Sequence, residues 1–225
     1  MKAAVILSGC GYLDGAEIRE SVLSLLYLDA QGVQASCFAP DKAQHHVVNH
    51  MGGASETGGR NCMHEAARIA RGAILPLDAL RSEDFDMLVI PGGYGVAKNL
   101  SSLALDGADA KLDASFQAIV QNFYQQKKPI LAICIAPAVL ALALPNNGIA
   151  LTIGSDEATA AIIVQSGNFH QRCASDEACV DEAHRIVSCS AYMREDALST
   201  IACGIERGVK ALLAMAESNT HSHAA

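Results

Sequence analysis

The stretch that decides the fold reads ILAICIAPA at positions 130–138. Its first four residues form an unbroken apolar run, which is typical of a strand covered on both faces of a parallel sheet. Cys134 follows at once, and the small residues after it, with Pro137 in the first turn, predict a helix. The sequence therefore predicts a strand that turns into a helix at Cys134 without an intervening loop.

This turn has the small neighbours that a sharp strand-to-helix elbow requires. Ala132 and Ala136 stand two residues before and after Cys134, where larger side chains would clash. The positive end of the helix would favour a thiolate at Cys134, and the backbone N–H of Ile135 would stabilise an oxyanion. Two interpretations of Cys134 stay open: a nucleophile, and a small buried residue packed under the helix.

Strands and helices alternate on both sides of this turn. Apolar runs at 3–7, 33–38 and 85–90 predict buried strands. The first predicted helix carries an apolar face made of Ile18, Val22, Leu25 and Leu26. This alternation predicts an α/β fold with a mainly parallel sheet. The chain has no internal repeat or low-complexity linker, so we expect one domain over 1–217 and a disordered tail over 218–225.

The composition excludes several classes of protein. Apolar residues make up 51% and charged residues 18%, so we expect a large core and no global disorder. The formal charge is -8 and no Lys/Arg cluster is present, so nucleic acid is not an expected partner. No segment approaches the ~20 apolar residues of a membrane span. Eight cysteines without a CxxC pair favour a reduced, cytoplasmic setting.

Two other segments are expected to meet Cys134 at one edge of the sheet. Ligands of open α/β sheets bind outside the carboxyl ends of the strands, where Glu17 and the Gly92-Gly93 pair would also lie. The glycines let the backbone approach a ligand and offer N–H donors. A protonated Glu17 would hydrogen-bond a thiolate. The alternatives are a plain turn at the glycines and an ordinary acidic helix start at Glu17.

The histidines do not predict a metal site. His45, His46 and His50 lie in residues 41–60, which predict an exposed hairpin or flap, and two more histidines lie near the end of the chain. Neither group has a convincing four-ligand spacing. We therefore expect neither a metal nor another cofactor.

Four motifs together resemble one protein family over nearly the whole chain. They read LSGCG at 7–11, DGAEIRE at 14–20, PGGYGVAKNLS at 91–101 and CIAPA at 134–138. This combination is similar to the enhancing-lycopene-biosynthesis protein family. That family is a branch of the ThiJ/PfpI superfamily, which has a class I glutamine-amidotransferase-like fold.

The resemblance implies a flavodoxin-like, three-layer sandwich and a homodimer. It implies a cysteine nucleophile at Cys134 with an acidic partner at Glu17, and it includes Asn99 in the glycine motif. The implied activity is that of a glyoxalase without glutathione, which converts glyoxal to glycolate and could reflect deglycation of early adducts on proteins. A small dicarbonyl is the expected substrate.

One position departs from the protease and amidotransferase relatives. Some of these carry a catalytic histidine directly after the cysteine, where this chain has Ile135, so peptide or glutamine hydrolysis loses support. His170 is a candidate that would reach the site from a later strand. The alternative function is a redox- or stress-responsive thiol sensor, or an accessory binding protein linked to isoprenoid metabolism. In the sensor, Cys10 would act as a resolving thiol for Cys134.

Overall fold

The apolar runs form the middle of a seven-stranded sheet in the computed structural model, which describes residues 1–222. The strands are β1 (Lys2–Ile6), β2 (Gln34–Ala39), β3 (Ile74–Pro76), β4 (Met87–Ile90), β5 (Ile130–Ile133), β6 (Ala150–Leu151), β7 (Phe169–His170), β8 (Cys179–Asp181) and β9 (Ile186–Cys189). The helices are α1 (Ile18–Ala30), α2 (Cys62–Ile69), α3 (Tyr94–Lys98), α4 (Leu103–Asp106), α5 (Ala114–Gln125), α6 (Ala136–Ala143), α7 (Glu157–Gln165) and α8 (Leu198–Ser222).

The strand order is β3-β2-β1-β4-β5-β9-β8. Every pairing in this sheet is parallel except that of β8 with β9, and β6 and β7 form a separate parallel pair. The predicted α/β class is confirmed: a mainly parallel sheet lies between layers of helices, as in a flavodoxin-like sandwich. β1, β4 and β5 are central, so their carboxyl ends meet in the middle of one sheet edge.

The core occupies both faces of the sheet. Successive side chains of a strand point to opposite faces, and in β5 Ile130 and Ala132 join the cluster that contains α5 and α6 residues. Leu131 and Ile133 join the opposite cluster, which contains α8 residues. This double burial explains why β5 is apolar at every position.

Several elements were not predicted because their sequences carry weak patterns. β3 and β8 are three-residue edge strands, and β8 contains an exposed valine and a buried aspartate. The short helices α3 and α4 lie inside residues 94–110, for which the sequence predicts irregular chain. Residues 41–60 form an irregular loop with an isolated antiparallel bridge between Val48 and Ser55.

Helix α1 buries a different face from the one that the sequence predicts. Ile18, Val22 and Leu26, here called the outer stripe, are 45%, 48% and 52% exposed. The helix instead buries Glu20, Ser21, Ser24 and Leu28. Three of the four residues of the predicted apolar face therefore point outward, Leu25 alone packs against the core, and polar side chains face the sheet.

The last helix is longer than predicted. The predicted tail boundary at 218 falls inside α8, which extends to Ser222, and residues 223–225 lie outside the described residues. Within residues 1–222, no helix combines the length and apolarity needed to cross a membrane.

Candidate active site

Cys134 lies on the strained elbow that the sequence predicts. Its φ is +62°, in the left-handed region that non-glycine residues rarely adopt. β5 ends one residue before it, and α6 begins two residues after it with Pro137 in its first turn. The Cys134 N–H donates to the carbonyl of Cys189 at 2.8 Å, which ties the elbow to the end of β9.

The thiol of Cys134 is almost fully enclosed, with the residue 7% exposed. It hydrogen-bonds the carboxyl of Glu20, and the N–H groups of Gly93 and Ile135 donate to its sulfur. Burial and the neighbouring Glu20 raise the pKa of the Cys134 thiol, while the two N–H donors act in the opposite direction. The thiolate that the sequence predicts at Cys134 is therefore disfavoured, because desolvation outweighs the effect of the positive helix end.

Glu20 is the acid that contacts this thiol. Its side chain is fully buried and accepts hydrogen bonds from the N–H of Gly92 at 2.9 Å and from the N–H of Tyr192 at 3.4 Å. Burial, and then the charge of Glu17, raise the pKa of Glu20 to about 8. Glu20 therefore holds a proton at neutral pH that can be shared with the sulfur.

Glu17 lies one helical turn before Glu20 and has a different position from the predicted one. Its carboxylate caps α1 by accepting from the N–H of Glu20 at 2.7 Å, and its side chain lines the cavity above the thiol. Burial raises the pKa of Glu17. The contact with sulfur that the sequence assigns to Glu17 belongs to Glu20, because an i, i+3 spacing places both acids on the inward side of α1.

The two glycines are needed because the backbone passes directly beside both partners. A Cβ on Gly92 would stand 2.5 Å from the Cys134 Cβ and 2.8 Å from Glu20 Oε2. Gly93 has a φ of +92°, and a Cβ there would stand 2.5 Å from the N of Glu17. Any larger residue would therefore push apart the loop after β4, the elbow and the start of α1.

Asn99 is a buried link between two loops. It is 4% exposed, and its Nδ2 donates to the carbonyls of Ser8 and Asp14, each at 2.9 Å. Its Oδ1 accepts from the N–H of His45 at 2.9 Å. Asn99 thus joins the loop after β1 to residues 41–60.

Cys10 and His170 are not brought to the thiol. The charged groups that affect the pKa of Cys10 are those of Glu65, Arg68, Asp14 and Arg60. His170 lies on β7 in the two-stranded sheet. Neither residue lines the cavity that contains Cys134, so the predicted Cys10–Cys134 pair and the histidine partner lack geometric support.

Above the thiol lies a cavity of about 720 Å³ whose wall the sequence only partly predicts. Its lining residues are Gly11, Tyr12, Glu17, Ile18, Arg19, His50, Gly93, Tyr94, Cys134, Ile135, Asp156, Thr159, Tyr192, Met193, Arg194 and Glu195. His50 reaches it from residues 41–60 and packs edge-on against Tyr12 at 5.4 Å between ring centroids. Arg19 donates to the Tyr192 hydroxyl at 3.0 Å.

Most of the unpredicted lining residues come from loops or single short turns, whereas Ile18, Arg19 and Thr159 lie on α1 and α7. The fold's parallel order alone indicates that loops after β1, β4, β5 and β9 converge. Among residues 1–222, no group of three or more His, Cys, Asp or Glu side chains is arranged to hold a metal ion.

Comparison with known proteins defines the class. A model described as the DJ-1/PfpI family matches residues 64–188, which is more than half of the chain. The chain belongs to the DJ-1/PfpI family.

Several relatives are similar over most of their length. The human protein named "Glutamine amidotransferase-like class 1 domain-containing protein 3, mitochondrial" is 39% identical, covering 94% of this chain and 82% of its own length. An isoprenoid biosynthesis protein with an amidotransferase-like domain from Ehrlichia chaffeensis has a crystal structure at TM-score 0.89 and 44% identity, covering 96% of this chain and 99% of that one. Drosophila melanogaster DJ-1beta, at TM-score 0.55 and 18% identity, covers 97% of each chain and shows the fold alone.

Proposed function

We propose that this protein is a cofactor-independent glyoxalase of the enhancing-lycopene-biosynthesis branch, converting glyoxal to glycolate through Cys134. The observation that carries the proposal is the hydrogen-bonded pair of Cys134, which lines a large cavity, and Glu20, which is buried behind it. A thiol beside a carboxyl that holds a proton at neutral pH has both groups needed to add sulfur to an aldehyde. Membership of the DJ-1/PfpI family supports the same chemistry.

The first step joins sulfur to one carbonyl carbon of glyoxal. The Cys134 sulfur forms the C–S bond, the carbonyl π pair moves to oxygen, and the pair's shared proton passes to that oxygen through Glu20. The product is a hemithioacetal. The N–H groups of Gly93 and Ile135, which now point at the sulfur, are the donors available to the developing oxyanion.

The second step moves a hydrogen between the two carbons. Glu17 faces the cavity, so we assign it the removal of the proton from the sulfur-bearing carbon and its return to the neighbouring carbon through an enediol. This gives a glycolyl thioester without net oxidation. Water then cleaves the C–S bond, releasing glycolate and restoring the thiol.

The size of the cavity supports a larger physiological substrate. About 720 Å³ lies within the roughly 300–1,000 Å³ of pockets that bind drug-sized ligands, whereas glyoxal has only four heavy atoms. The space fits an aldehyde adduct carried on a larger molecule, which supports the deglycase interpretation. A cytoplasmic location and a homodimer remain predictions, and the name of the human relative includes "mitochondrial".

A glyoxal-to-glycolate assay tests the proposal. Cys134→Ala should reduce glycolate formation to the uncatalysed rate, because the nucleophile is lost. Cys37→Ala is the matched control, since Cys37 is another buried cysteine and lies outside the cavity lining. Full activity in Cys134→Ala would refute the proposal. An accessory role linked to isoprenoid metabolism, which the description of the Ehrlichia protein supports, would then be the better candidate.

A further inference from the structure

Two other cysteines lie together outside the cavity that contains Cys134. Cys173 follows β7 and Cys179 begins β8, and residues 174–178 separate them. They are 5% and 1% exposed, and their thiols hydrogen-bond each other. Neither lines the cavity, so the chemistry proposed for Cys134 makes no use of this pair.

Polar groups surround the two sulfurs. Cys179 lies opposite Ser188 in the antiparallel pairing of β8 with β9, and its sulfur is 3.7 Å from Gln171 Oε1. The side chain of Thr152 hydrogen-bonds Cys173. By contrast, burial is the single cause that raises the pKa of the buried thiol of Cys37.

The intervening segment is anchored at several points. The Ala174 N–H donates to Glu177 Oε2 at 2.8 Å, and the Ser175 hydroxyl donates to Asp196 at 2.5 Å. A Cβ on Gly204 of α8 would stand 2.0 Å from the Ser175 carbonyl oxygen, so the segment rests directly on that helix. These anchors hold the two thiols in contact in the reduced protein.

The contact makes the two thiols unequal. The hydrogen bond from Cys179 lowers the pKa of Cys173. The same contact, with burial, raises the pKa of Cys179. Cys173 is therefore the thiol of the pair that ionises first, and a thiolate is the nucleophilic form.

We propose that Cys173 and Cys179 are a redox-active dithiol that hydrogen peroxide converts to an intramolecular disulfide. The Cys173 sulfur attacks one peroxide oxygen, forming an S–O bond as the O–O bond breaks and, after protonation, water leaves. The Cys179 sulfur then attacks the sulfenic sulfur, forming the S–S bond as the S–O bond breaks and a second water leaves. Two thiols and one peroxide thus give one disulfide and two waters, and a dithiol reductant reverses the change by exchange.

Mass spectrometry of the full chain tests this site directly. Cys134→Ala protein is used so that the proposed glyoxalase nucleophile contributes nothing, and the result is independent of that function. After stoichiometric hydrogen peroxide, denaturation, alkylation and trypsin, residues 173–185 form one peptide containing both cysteines. We expect this peptide to be unalkylated and lighter by two hydrogen atoms, and reduction before alkylation should restore two alkyl groups.

Two variants of Cys179 distinguish the role of its sulfur in disulfide formation from the role of its hydrogen bond to Cys173. Cys179→Ser keeps a donor to Cys173 but removes the second sulfur, so native alkylation of Cys173 at pH 7 should stay close to the wild-type rate. Two equivalents of peroxide should then oxidise Cys173 through sulfenic acid to sulfinic acid, with one water released in each step. Cys179→Ala removes the donor as well and should slow that alkylation roughly tenfold or more. Circular dichroism checks that both variants fold.

Two results would overturn the proposal. One is full alkylation of Cys173 and Cys179 after peroxide while the exposed Cys203 is oxidised. The other is a sulfinic acid at Cys173 in protein that retains Cys179.

Discussion

Helices α1 and α6 border the same thiol and bury opposite kinds of side chain. In α6, seven of eight residues are buried and all of them are apolar. In α1, the buried residues include Glu20, Ser21 and Ser24, while the outer stripe is exposed. Helix α6 therefore serves packing alone, whereas α1 turns its polar face to the core.

The polar face of α1 is tolerated because each buried group has a partner. The Ser21 and Ser24 hydroxyls donate to the carbonyls of Glu17 and Glu20 at 2.6 Å and 2.7 Å. The Glu20 carboxyl is paired with the N–H of Gly92 and with Cys134. Burying a polar group destabilises the fold unless that group is hydrogen-bonded. The buried polar face of α1 therefore indicates that this helix carries the chemistry.

Removing the inward carboxyl of α1 should have the largest effect on activity. Glu20→Ala should lower kcat/KM for glyoxal by roughly 10²–10⁴-fold, because the general acid is lost. The matched change on α6 is Leu140→Ala, at a fully buried position, and its rate should stay within a few-fold of wild type. Steady-state kinetics on both variants distinguish the two helices. Equal losses would mean that α1 has no special chemical role.

Stability should fall as pH rises. A carboxyl with a pKa near 8 keeps a proton in the folded protein that the unfolded chain loses above about pH 4.5. The unfolding free energy therefore decreases with rising pH through the window from about 4.5 to 8. Each pKa unit corresponds to about 1.4 kcal/mol, so the loss reaches several kcal/mol. Urea titrations at pH 5 to 9 measure it, and Glu20→Gln should flatten the slope. An unchanged slope in that variant would contradict a raised pKa.

Truncating a buried leucine should reduce the unfolding free energy by a similar amount on both helices. Leu28 is the buried apolar residue of α1 and Leu140 its counterpart in α6. Replacing either with Ala should reduce the unfolding free energy by about 2–5 kcal/mol, through lost burial and a cavity. Chemical denaturation checks this. A negligible cost at Leu28 would show that α1 is not packed as described.

The smallest effect is expected at the outer stripe. Val22 is 48% exposed, so Val22→Ser should change the unfolding free energy of the monomer by less than about 0.5 kcal/mol. Denaturation at low protein concentration measures it. A cost as large as that of Leu28→Ala would mean that the stripe is covered in solution, and sedimentation would then show an oligomer.

The sequence predicts the sheet and the elbow because their signals are local. The run at 130–138 combines a buried strand, small flanking residues and a helix-starting proline, and the structure contains each of them. The sequence places Gly92 and Gly93 at the same edge because the carboxyl ends of parallel strands converge, and in the structure a Cβ on Gly92 would stand 2.5 Å from the Cys134 Cβ.

The identity of the acid could not be read in this way. Helical periodicity assigns Ile18 and Val22 to the core, which turns Glu20 outward, and the structure has the reverse because N–H groups of Gly92 and Tyr192 receive its carboxylate. The sequence identifies Gly92 as a donor at this edge but does not indicate which carboxyl it meets, and Tyr192 lies in a segment with no pattern of its own. The available signal was Glu20 itself, one turn after Glu17 in the same motif.

The central claim is that Glu20, and not Glu17, controls the protonation of Cys134. The most direct measurement is the rate of iodoacetamide alkylation of Cys134 at pH 9, followed on its own peptide. Glu20 raises the pKa of this thiol, so Glu20→Gln should accelerate alkylation by roughly tenfold for each unit by which that pKa falls, and Glu17→Gln should leave the rate nearly unchanged. An unaltered rate in Glu20→Gln, or the acceleration appearing in Glu17→Gln instead, would contradict the claim.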